Sequence, residues 1–128
     1  MYIAVIFGFL MSLGHASVGD TLAVAKSKAA KWKSQYNATQ GLYETNKAGV
    51  VVQECYAAPA EMWSIGNALS FAKELLPAKV RKGKAKFKEE DGSFHRYSIG
   101  EYIISVQMFQ KKSIGVQVQG KKYKGNDC

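Results

Sequence analysis

Hydrophobic residues recur at helical spacing in two stretches of the chain. Leu22, Ala25, Ala29, Trp32 and Tyr36 follow the three-and-four spacing of a buried stripe, which predicts a helix capped by Asp20. The segment "NATQG" is expected to end this helix, with Gly41 able to take the left-handed conformation. A second stripe, formed by Met62, Ile65, Leu69, Ala72 and Leu76, predicts a helix that begins after Pro59 and ends at Pro77.

Other stretches show the two-residue period of β-strands. Two strands, the stronger from Val50 to Tyr56, are predicted between the helices because β-branched residues cluster there. About four more strands follow Pro77, where alternation predicts an antiparallel meander with Ile114, Val116 and Val118 facing inward and Gln117 and Gln119 facing outward.

The predicted order is therefore α-β-β-α-β-β-β-β. We expect one small α+β domain, with a curved antiparallel sheet of about five to six strands packed on two helices. A chain of 128 residues has room for a single hydrophobic core, so residues 17–128 are assigned to this one domain.

The first sixteen residues carry no Lys, Arg, Asp or Glu and include an apolar run of signal-peptide length. Small residues, Gly14 and Ala16, occupy the positions that a signal peptidase would read, although a basic segment before the run is missing. Residues 1–16 are therefore predicted to be a signal peptide, and the protein to be secreted or periplasmic. A buried first element is the alternative.

Export would place the two cysteines, Cys55 and Cys128, in an oxidising compartment. We expect them to form a disulfide that closes a long loop. Neither cysteine has a second ligand at zinc spacing, so no metal site is expected. The sequence also lacks phosphate-binding and dinucleotide-binding motifs, and no cofactor is predicted.

The net charge is +8, and sixteen lysines accompany only two arginines. Lysine-rich segments are expected to attract anions diffusely, whereas sequence-specific nucleic-acid recognition relies on the fixed geometry of arginine. In the segment "KGKAKFK" a strand would align four lysines on one face, either as a binding surface or as an edge that resists aggregation. The candidate binding residues are Lys82, Lys84, Lys86, Lys88, Lys111, Lys112, Lys121 and Lys122.

Trp63 lies on a part of the second predicted helix with little apolar bulk, next to Gly66 and Asn67. Such a tryptophan either anchors a partner or covers the edge of the core.

For catalysis, the best set is His95, Tyr97 and Glu101, which would need to line a common pocket to act as a general base site. Nothing in their spacing selects this set, so the enzyme question stays open with a non-enzyme favoured.

The sequence therefore favours an exported non-enzymatic binding or accessory domain whose partner is an anionic envelope polymer, a membrane surface or an acidic protein. Two alternatives remain. One is a cone-shaped pocket protein that binds a small ligand, or acts as a weak hydrolase or isomerase, around His95. The other is an inhibitor or immunity-type protein of an acidic enzyme.

Overall fold

The computed structural model describes residues 18–128 of the chain. The predicted signal peptide, residues 1–16, lies outside the described residues. Within them the order is two helices, two strands, two helices and four strands, so two helices stand in each place where one was predicted. The α+β class with a six-stranded antiparallel sheet is confirmed.

The first predicted helix is divided in two at Lys28, whose backbone ends one segment and starts the next. Thr21, and not Asp20, caps the first segment, because its hydroxyl accepts a hydrogen bond from the Val24 N–H. Asn37 ends the second segment in the left-handed conformation, with a φ of 55°. The helix therefore ends in the predicted segment "NATQG", but Asn37 and not Gly41 is the left-handed residue. The two segments are α1 (Leu22–Ser27) and α2 (Ala29–Tyr36).

The second predicted helix begins later than its apolar stripe indicated. Ser64 caps it by accepting a hydrogen bond from the Asn67 N–H at 3.1 Å, whereas Met62 has a positive φ and lies outside the helix. Beyond Pro77 a single further turn forms before the strands begin. These helices are α3 (Ile65–Glu74) and α4 (Ala78–Arg81).

The six strands form one antiparallel sheet in the spatial order β1-β2-β6-β5-β4-β3. After β2 the chain crosses through α3 and α4 to the far edge and returns as a meander, so that β6 closes against β2. The strands are β1 (Thr39–Thr45), β2 (Val51–Ala57), β3 (Lys86–Asp91), β4 (Phe94–Ile99), β5 (Tyr102–Phe109) and β6 (Lys112–Gly120).

The predicted alternation along β6 is correct at its centre and wrong at its start. Val116 and Val118 are buried in the core. Ile114 is exposed, because Gln107 pairs with Gly115 while Met108 pairs with Ser113, and the resulting bulge leaves Ile114 without a cross-strand partner. A single inserted residue therefore reverses the predicted direction of one side chain.

The core on the helix side of the sheet is organised around Phe71 of α3. Its ring lies 4.7 to 5.5 Å, between ring centroids, from the rings of Tyr36, Tyr56, Trp63 and Trp32. Stacked, tilted and edge-on aromatic contacts of this kind add to the hydrophobic gain from burial. They join α2 and α3 to β2.

Cys55 and Cys128 are joined by a disulfide, as the sequence predicts, with their Cα atoms 6.3 Å apart and a sequence separation of 73. Cys55 lies on β2, and its neighbours in register on β6 include Gln117. The bond therefore fastens the segment after β6 across the face of the sheet that the helices leave open.

We expect the double variant Cys55→Ser, Cys128→Ser to lose roughly 2–4 kcal/mol of unfolding free energy, because the unfolded chain is no longer cross-linked. Urea denaturation with and without a reducing agent measures this loss. The untreated wild type should have the higher midpoint, and the variant should be insensitive to reductant. Equal midpoints for the oxidised wild type and the variant would show that the bond adds no stability.

Candidate binding surface

The lysines cover much of the surface of the domain. All of them except Lys28 and Lys73 are exposed. Within residues 18–128, the carboxylates that form ion pairs with side chains do so with Arg96 and His95. No exposed lysine in this range lies within ion-pair distance of a carboxylate. The positive charge of these lysines is therefore available to an external anion.

The segment "KGKAKFK" does not form one strand, so the predicted row of four lysines on one face is wrong. Lys82 ends α4 and Lys84 lies in the connection that follows, whereas β3 begins at Lys86. A register shift between Phe87 and Glu89 places Lys88 at a bulge. The physical reason is the extra helical turn after Pro77, which uses residues that the alternation had assigned to a strand.

Lys88 and Lys121 line the same groove at the open face of the sheet. They line a polar groove of about 510 Å³ together with Arg96, Glu89 and Asp127. The structure therefore unites two of the sequence-predicted lysines, which lie far apart in the chain.

Arg96 also lines this groove, although it was not among the candidate residues selected from the sequence. Its guanidinium contacts Asp91 and Asp127 at 2.9 Å each and donates a 2.7 Å hydrogen bond to the Ser105 hydroxyl. The hydrogen bonds that Arg96 donates to Asp127 and Asp91 raise the pKa of Arg96, and the one to Asp127 lowers the pKa of Asp127. The available signal was that Arg96 is one of only two arginines in a chain with sixteen lysines.

The C-terminal segment covers the polar side chains of the open face. The Gln117 amide donates to Asp127 Oδ1 at 2.7 Å, and its oxygen accepts from the Cys128 N–H at 3.0 Å. Gln53 donates to the Asn126 carbonyl at 2.9 Å. Gln117 therefore faces away from the helices as predicted but is buried, because the segment after β6 lies over it.

The other predicted lysines occupy two separate places. Lys111 and Lys112 lie at the turn between β5 and β6. Lys122 lines an apolar groove of about 590 Å³ near the start of the described chain, together with Val51 and Tyr102. The basic residues therefore form several local groups and not one continuous stripe.

His95, Tyr97 and Glu101 are not brought together. His95 and Tyr97 share one face of β4, where the imidazole lies 3.2 Å from the Glu90 carboxylate. Glu101 lies in the turn beyond Ile99 and lines a different groove, of about 540 Å³, that contains neither His95 nor Tyr97. The geometry of a shared general base site is therefore not present.

Trp63 is a core residue and presents no surface anchor. Only 5% of its surface is exposed, and its indole N–H donates a 2.9 Å hydrogen bond to the Tyr36 carbonyl. The predicted position on the helix was wrong: Trp63 precedes α3, and its backbone forms a bridge with Ser113 of β6. This bridge turns its side chain towards Phe71.

A buried carboxylate, Glu54, lies under the helices. Tyr56 donates a 2.5 Å hydrogen bond to it, and the Tyr56 and Tyr43 hydroxyls are 3.1 Å apart. Burial, followed by the charge of Glu54, raises the pKa of Tyr56 well above its usual value. Burial lowers the pKa of Lys28, and the negative charge of Glu54 acts in the opposite direction by raising it. Glu54, Tyr56 and Tyr43 therefore form a polar network at the core and not an open reaction site.

No cluster of three His, Cys, Asp or Glu residues suited to a metal ion occurs in the described part of the chain. None of the helices between residues 18 and 128 combines the length and hydropathy required to cross a bilayer. Comparison of the chain with protein-family models, with curated proteins and with solved structures finds no match.

We expect the pairing of Asp127 with Arg96 to stabilise the protein at neutral pH and to fail in acid. The pKa of Asp127 is lower in the folded than in the unfolded state, so its contribution is present above about pH 4 and is lost as pH falls through the folded value. Asp127→Asn should therefore lower stability at pH 7 by less than about 1 kcal/mol, because solvent screens this partly exposed pair.

Thermal denaturation of wild type and Asp127→Asn across a pH series measures the effect, with Glu101→Gln as the control for loss of an exposed acid. The difference between wild type and Asp127→Asn should shrink towards pH 3. A difference that stays constant over the series would contradict the proposed linkage.

Proposed function

We propose that the protein is an exported, non-enzymatic binding or accessory domain whose lysine-rich surface attracts an anionic partner. The observation that carries this proposal is the set of exposed lysines without carboxylate partners, which gives the surface a large uncompensated positive charge. Such a surface increases the rate and strength of association with anionic polymers, anionic bilayers and acidic proteins.

One structural feature and one sequence feature support the exported location. The disulfide between Cys55 and Cys128 is of a kind that persists in oxidising compartments and is rare in reducing ones. The apolar character of the first sixteen residues is typical of a secretory signal. The proposed location is therefore periplasmic or extracellular.

The ratio of lysine to arginine supports diffuse attraction. Arg96 is held by Asp91 and Asp127, and the Arg81 guanidinium donates to the Leu76 carbonyl at 3.0 Å. Both arginines are therefore engaged within the protein, which leaves lysines to meet the partner. Lysine interacts as a point charge, so binding should depend on the charge density of the partner more than on its shape.

Binding to a sulfated polysaccharide matrix across a salt series tests the proposal. We expect retention at low salt and release at moderate salt, because exposed charges are screened over about 10 Å at 0.1 M ionic strength. Retention that does not change with salt, or no retention at low salt, would contradict the proposal.

A pair of matched variants tests whether the lysines around β3 form the contact. The first replaces four neighbouring lysines: Lys82→Gln, Lys84→Gln, Lys86→Gln and Lys88→Gln. The control removes the same charge from the first two helices and the β1–β2 turn: Lys26→Gln, Lys31→Gln, Lys33→Gln and Lys47→Gln. Release of the first variant alone at a lower salt concentration than wild type would locate the surface around β3. Release of both variants at the same salt concentration would indicate attraction by the whole basic surface.

A further inference from the structure

The turn between β5 and β6 presents a large apolar side chain to solvent. Phe109, the last residue of β5, is 54% exposed. Met62 lies beside it, and these two residues line a shallow concavity of about 500 Å³ with Gln110, Lys111 and Lys112. Removing these two apolar side chains from water on contact with a partner would be favourable, so the turn is a candidate contact surface.

The same turn carries two exposed ammonium groups. Lys111 and Lys112 follow directly after Phe109 and Gln110, and Lys112 is the cross-strand partner of Phe109. Neither lysine pairs with a carboxylate within residues 18–128. The turn therefore combines an apolar centre with positive charge at its rim.

The turn is held firmly by the core. The backbone N–H of Trp63 donates to the Ser113 carbonyl at 3.0 Å, and the backbone N–H of Ser113 donates to the Trp63 carbonyl at 2.8 Å. Trp63 is itself buried against Phe71. The contact surface is therefore preorganised, and binding would require little ordering of the backbone.

From this juxtaposition we propose that the β5–β6 turn docks on an anionic phospholipid bilayer, with Phe109 and Met62 in the interfacial region and Lys111 and Lys112 at the lipid phosphates. This inference deepens the proposed function, on which it rests, by naming the anionic partner. An acidic polysaccharide offers the lysines charge but offers Phe109 no apolar phase. A bilayer offers both within a few ångströms of depth.

A tryptophan at the tip gives a direct readout. The native tryptophans are buried, with 2% of Trp32 and 5% of Trp63 exposed, so their emission should respond little to lipid. In Phe109→Trp the new indole should shift its emission to shorter wavelength when phosphatidylglycerol-containing vesicles are added, and lipids brominated on the acyl chain should quench it. Vesicles of phosphatidylcholine alone should cause little change, because they lack an anionic surface. Near such a surface each lysine contributes about fivefold in affinity.

Co-sedimentation with the same vesicles compares the apolar and charged contributions. We expect Phe109→Ser to weaken vesicle binding roughly fivefold to tenfold, in line with the loss of about half of the burial of one aromatic side chain. Lys111→Gln with Lys112→Gln should weaken it by tenfold or more. Phe87→Ser is the matched control, because Phe87 is exposed to a similar extent, 58%, on edge strand β3.

The outcomes separate this inference from the proposed function. Phe109→Ser should keep the wild-type retention on the sulfated polysaccharide while binding vesicles more weakly. Polysaccharide retention without any vesicle binding would overturn the bilayer proposal, leave the proposed function standing and favour an acidic polymer or protein. Equal loss of vesicle binding in Phe87→Ser and Phe109→Ser would also overturn the assignment to this turn.

Discussion

The packing of Phe71 against four aromatic rings is the contact on which the rest of the fold depends. It lies where α2, α3 and β2 meet, and it also receives Trp63, whose backbone pairs with β6. The open sheet has one covered face because the helices are held here, and the β5–β6 turn has a fixed position because Trp63 is held here. Shortening Phe71 would therefore loosen both the helical layer and the turn at its edge.

The apolar spacing in the sequence was sufficient to predict the α+β class, the antiparallel sheet and the inward direction of Val116 and Val118. It was insufficient where one residue changed the local geometry. The left-handed Asn37, the bulge at Ile114 and the extra turn after Pro77 are each short-range features that periodicity does not detect. The predicted row of four lysines on one strand face was wrong because of the extra helical turn after Pro77.

The open face was less predictable than the core. Alternation correctly placed Gln117 away from the helices, but nothing in the pattern indicated that the last residues would return to cover it. That arrangement depends on the disulfide at Cys128 and on Arg96 pairing with Asp127, both contacts between distant parts of the sequence. The exposed Phe109 was missed for a related reason, since an apolar residue at the end of a strand has the same sequence pattern whether it is buried or not.

The two edges of the sheet limit how this protein can meet other chains. On β1, register shifts follow Gln40 and Glu44, so the outer strand is irregular. On the other side, β3 is charged at every position except Phe87, with two lysines before three acids. Neither edge offers a straight row of free peptide groups to a strand of a second molecule. At high concentration the sheet should therefore resist lengthening into fibrils, and encounters with other macromolecules should take place through side chains at the turns.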